Sequence, residues 1–188
     1  MDRSSAGTWF RDVGAAALFA VGLPLLFGAS SGCATGGRFS VEIRSPEAAG
    51  ARDTVVAYGS SLGAGARYSA NIEVKEPLYV YVELRSPEGI APLWPGPNGS
   101  MQRVFPGQPL TVPPGGFLKR PAQPGSIYIY VVASSQMMSV EQARFEIDKA
   151  QGPMDAGTLG NARRGDALAS ADLNEQGTGV LRFEIGQR

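Results

Sequence analysis

Residues Pro77 to Pro114 read PLYVYVELRSPEGIAPLWPGPNGSMQRVFPGQPLTVPP, and this stretch decides the fold. Leu78, Val80, Val82 and Leu84 alternate with Tyr79, Tyr81, Glu83 and Arg85, the period of two that a sheet with unlike faces requires. Ser86-Pro87-Glu88-Gly89 then turns the chain, because proline presets φ at the second turn position and glycine tolerates positive φ. A second apolar run, Ile90 to Trp94, follows at hairpin distance. Met101 to Phe105 and Leu110 to Val112 are shorter runs, each closed by proline. Strands this short, punctuated this often by Pro and Gly, predict a β-sandwich or barrel.

Working outward, Ser126 to Ser134 repeats the alternation. Ile127, Ile129, Val131 and Ala133 share one face, while Tyr128, Tyr130 and Val132 share the other. The matching periods place this strand and Leu78 to Leu84 at the centre of a sheet. Arg38 to Arg44, Asp53 to Tyr58, Arg67 to Val74 and Gly177 to Ile185 read as further strands, 59–66 as a flexible connection, and 117–123 as a crossing between sheets. Ser139 and Gln142 have capping-box spacing ahead of Val140, Ala143, Phe145, Ile147 and Ala150, which predicts a helix from Val140 to Ala150. Met154 to Gln176 is small and polar and predicts loop, with at most a weak turn of helix. The fold class is therefore mainly β: an antiparallel β-sandwich with one short α-helix in the C-terminal third, over 38–188.

The order of Tyr-rich strand, Gly turn, Pro-Leu-Trp-Pro, polar loop, Pro-Gly, short strand and Pro-Pro resembles the bacterial domain-of-unknown-function family 4384 (DUF 4384). Pro124 to Ser134 is similar to that family's closing strand, so the resemblance spans about 66–149. It implies an accessory β domain of the kind found in envelope proteins, or attached to caspase-like peptidases and protein kinases. It brings no catalytic residue.

Residues 1–32 read as a lipoprotein signal peptide rather than as fold. Arg3 and Arg11 precede the uncharged stretch Val13 to Ala29, and small residues lead to Cys33, the only cysteine in the chain. Cleavage there leaves Cys33 as the lipidated N-terminus, with 33–37 as a tether. Ordinary cleavage after a residue such as Ser31, or an uncleaved helix, are the rival readings. Each carries the rest of the chain across the inner membrane. Ala34 after the cysteine favours an outer-membrane lipoprotein, facing the periplasm or the surface.

Composition excludes several chemistries. Seventeen basic residues balance 17 acidic ones, so no basic footprint for nucleic acid is expected. The chain contains no histidine, the commonest general base and metal ligand. No metal site, cofactor or catalytic residue is predicted, and one cysteine makes no intramolecular disulfide. Gly59-Ser60-Ser61-Leu62-Gly63 fits the G-x-S-x-G pattern of hydrolase nucleophile elbows, but that device needs a histidine and a following helix, and loop then strand follow here.

The residues with functional promise are Tyr79, Tyr81, Tyr128 and Tyr130, opposite the aliphatic face of the two central strands. Either a helix or loop covers them, or part of that face is open as a binding surface, where aromatics are favoured. The resulting expectation is a lipid-anchored envelope protein serving as a non-catalytic binding or accessory module, attached to the membrane through Cys33 and meeting a protein partner. A structural subunit of a secretion or surface assembly is the alternative. A serine hydrolase acting through Ser61 is disfavoured.

Overall fold

Alternation becomes geometry in β1 (Arg38–Ser45) and β4 (Arg67–Val74), which pair antiparallel with Val41 opposite Ile72. The structure, a computed structural model, describes residues 37–46, 53–96, 99–151, 160 and 163–187. β2 (Thr54–Val56) pairs with β1 at Ile43 to Ser45, and β3 (Ser61–Leu62) joins the opposite sheet. β5 (Leu78–Ser86) turns through Pro87-Glu88 into β6 (Gly89–Trp94), with Ser86 opposite Gly89. β7 (Gln102–Val104) returns along the same edge of β5. β8 (Leu110–Val112) and β9 (Leu118–Lys119) both pair with β4. The chain then crosses to β10 (Ile127–Ser134), enters α1 (Val140–Ala150), and ends with β11 (Leu168–Asp172) and β12 (Thr178–Gln187).

Two six-stranded sheets result. One runs β11-β1-β4-β8 with β2 and β9 attached, the other β3-β12-β10-β5-β6 with β7 attached. Every pairing is antiparallel except β3 with β12. Between the sheets lies the main core: Phe39, Val41 and Ile43 from β1 meet the aliphatic residues of β5, β10 and β12. Val82 sits opposite Val131 and Val80 opposite Ala133, so the two alternations do face one core.

The capping box at α1 forms as expected. The Ser139 hydroxyl accepts from the Gln142 amide, and the Gln142 side chain accepts from the Ser139 amide.

Two expectations need correction. Within 154–176 the predicted loop contains β11, which pairs with β1 through Phe39 opposite Ala171 and Val41 opposite Ala169. Its inward residues are alanines, which have the sheet's period but little β propensity. The connection at 59–66 likewise contributes β3, held parallel to the end of β12 by backbone bonds that include Gly186 N to Ser60 O at 2.7 Å.

Candidate binding face

Each sheet has an outer face, and the two differ. On the β5-β10-β12 sheet that face carries the tyrosines, and α1 lies over it. Ala143, Ile147 and Ala150 pack with Tyr81, Tyr130, Val132, Val180 and Met101 in a second core. Tyr81 is fully buried and Tyr130 almost so, whereas Tyr79 and Tyr128 are half-buried at the margin. The four sequence-predicted tyrosines are thus on one face, but Tyr81 and Tyr130 are core. Burial is the physical reason they offer no open surface.

A polar network fastens the helix. The fully buried Glu83 carboxylate accepts from the Tyr81 hydroxyl (2.7 Å), Arg85 Nε (2.8 Å) and Arg144 Nε (2.9 Å). Arg144 Nε also donates to the Tyr81 hydroxyl at 3.0 Å, and Arg85 Nη2 reaches Asp148 Oδ1 at 2.8 Å. Burial, then the hydrogen bond to Glu83, pushes the Tyr81 phenol up to about 12. Burial also raises Tyr130, although the Arg182 charge opposes it. Hydrogen bonds to Tyr81 and Glu83 raise the Arg144 guanidinium, so its charge is secure. Around the half-buried rings, Arg182 stands 5.6 Å from the Tyr128 centroid and Arg103 5.7 Å from that of Tyr79. The arrangement is a cross-strand lattice of cations, carboxylates and phenols in which Glu83 is fully partnered, whereas the buried Arg182 Nε has no hydrogen-bond partner among the described residues.

On the β11-β1-β4-β8 sheet the outer face carries no described helix, and its side chains are half-buried or exposed apart from Ser69, which lies beside Gly115, Gly116 and Phe117. Its side chains come from the polar half of each alternation: Ser40, Glu42 and Arg44 on β1, Asn71 and Glu73 on β4, and Thr111 on β8. Three hollows of about 390, 310 and 330 Å³ lie along it. The first shares Arg44 and Asn71 with the second, and the second shares Ser40, Glu73 and Leu168 with the third. Adjoining at these shared side chains, they make a trough of three hollows in a row, from Phe117 at one end to Lys75 and Ser170 at the other.

Pairing within the trough is local. Arg44 Nε is hydrogen-bonded to Glu42, which raises the Arg44 pKa. Arg38 donates to Ser170 Oγ (3.1 Å) and lies 3.6 Å from Asp172. Thr111 Oγ1 donates to Asn71 Oδ1 at 2.8 Å.

None of these trough residues stands out in the sequence. Their signal was present as the polar positions of β1 and β4, but only topology shows which polar face stays uncovered. Cys33 lies outside the described residues. Ser61 sits half-buried in β3 with no helix after it, and Ser60 Oγ donates to Ala57 O at 2.6 Å, so the G-x-S-x-G stretch does not build an elbow. Among the described residues there is no group of three or more His, Cys, Asp or Glu placed to hold a metal ion. None of their helices is long and apolar enough to cross a membrane. Compared with known proteins, the chain matches no family model, no curated protein and no solved structure.

Proposed function

We propose that the protein is a non-catalytic binding module of the bacterial cell envelope, held to the outer membrane by lipid at Cys33 and presenting the open face of the β11-β1-β4-β8 sheet. One observation carries the binding reading: α1 covers the centre of one sheet's outer face, burying Tyr81 and Tyr130, and the other sheet keeps a polar trough of adjoining hollows. The tether rests on the position of the sole cysteine after Ser31-Gly32 at the end of an apolar segment. A multiply acylated N-terminus gives durable attachment, whereas one chain binds only marginally. The resemblance of 66–149 to family 4384 agrees with an accessory role.

The test is site-specific photocrosslinking of the full-length protein in intact cells. A benzophenone side chain at Asn71, in the trough, is expected to give a discrete adduct. The same group at Lys149, exposed on α1, is expected to give none. The Asn71 adduct is expected to disappear in a Cys33→Ser background. Equal adducts at both positions, or none at Asn71, would overturn the assignment of the face. An adduct that survives Cys33→Ser would remove the tether.

A further inference from the structure

We infer that the trough binds a neutral, hydroxyl-rich glycan chain. This names a ligand class for the binding face proposed above and rests on that reading. Four features of the trough select this chemistry over its competitors.

Length comes first. From Arg38 to Arg44 the trough follows β1 for six residue steps, roughly 20 Å at the rise of a strand. That suits a linear polymer of several units better than a compact metabolite.

The second is location. The trough crosses the face of a sheet, where β1 and β4 spend their backbone donors and acceptors on neighbouring strands. An extended peptide gains its affinity by main-chain pairing at an edge, which a face does not offer. Recognition here falls to side-chain hydroxyl, amide and carboxylate groups, the partners a polyol uses.

Charge is the third. Arg38, Arg44 and Lys75 balance Glu42, Asp53 and Glu73, three against three. A polyanion needs a net positive track. A lipid surface needs contiguous apolar area, and here Phe117 and Leu168 stand at separate places in the trough.

The fourth is the donor set. Asn71 uses its carbonyl oxygen to accept from Thr111, which orients the amide and keeps its two N–H donors for a ligand. At the end of the trough the Phe117 ring is exposed, and the Arg67 guanidinium lies 4.5 Å from its centroid. A ring braced in this way is a platform for the apolar C–H face of a pyranose, while the polar groups beyond it fix the hydroxyls.

The experiment is calorimetric titration of the detergent-solubilised full-length protein with chitotetraose, cellotetraose and mannotetraose, with heparin as the charged comparison. At least one neutral tetrasaccharide is expected to bind, with an affinity insensitive to added salt. Asn71→Ala and Thr111→Val are each expected to weaken it about tenfold, the loss that follows from removing a hydrogen bond the site is built to make. Lys149→Ala is expected to leave it unchanged, and circular dichroism would check that every variant is folded. Silence from all three neutral sugars, binding that ignores both trough variants, or a salt-sensitive preference for heparin would overturn the inference. A crosslink at Asn71 with silent sugars would retain the binding face and discard the glycan. Failure of both would discard the face as well.

Discussion

A carboxylate with no solvent exposure is costly to bury unless its lone pairs are filled, and Glu83 fills them with the Tyr81 hydroxyl and two guanidinium groups. Removing the anion leaves Arg85 with only the exposed Asp148 as its carboxylate partner and takes the acceptor from the buried Tyr81 hydroxyl, so Glu83→Ala is expected to cost about 3 kcal/mol. Arg144 is partly exposed, and its loss leaves Arg85 still paired with Glu83. Arg144→Ala is therefore expected to cost only about 1 kcal/mol. Urea denaturation of both variants checks the ordering, and equal losses would contradict it. Tyr81 adds a pH dependence. Its folded pKa, about 12, lies above the ordinary 10, so the folded state prefers the neutral phenol. That stability is fully present below pH 10 and is lost as pH rises from about 10 through 12. Tyr81→Phe is expected to be less stable at pH 8 yet to show a shallower alkaline decline. The decline should not vanish, because burial also raises Tyr68 and Tyr130.

Among the elements, α1 and β11 show what the amino-acid sequence discloses and what it withholds. The helix was legible to its bounds, since Ser139 and Gln142 form a local cap whose partners are three residues apart. That a helix or loop covers the tyrosines is one of the two expectations, and α1 does so; that the cover is this helix was not legible, because its buried face is only Ala143, Ile147 and Ala150. Strand β11 was missed for a related reason. Its one large apolar residue, Leu168, points outward and is 53% exposed, while the inward Ala169 and Ala171 are buried. The usual reading of large apolar residues as core inverts there. Ala171→Leu is accordingly expected to overpack the space beside Phe39 and cost about 1–3 kcal/mol, whereas Leu168→Ala should lie within about 0.5 kcal/mol of wild type. Chemical denaturation decides it, and a large loss at Leu168 with none at Ala171 would reverse the assigned faces of β11.

At the scale of the molecule, the two central strands were legible because their alternation is strong and two-sided, and the core between the sheets follows from it. The trough was not, because it is defined by what does not cover a polar face, and no local pattern encodes that. The central claim is that the open sheet face meets a ligand in the envelope while the tyrosine face is sealed. Hydroxyl-radical footprinting of the full-length protein, purified in detergent and again in intact envelopes, tests both halves at once. Phe117 and Leu168 are expected to be modified in the purified protein and protected in the envelope, with Tyr81 and Tyr130 protected in both. Equal modification of Phe117 and Leu168 in the two settings, or ready modification of Tyr81 and Tyr130 in the purified protein, would contradict it.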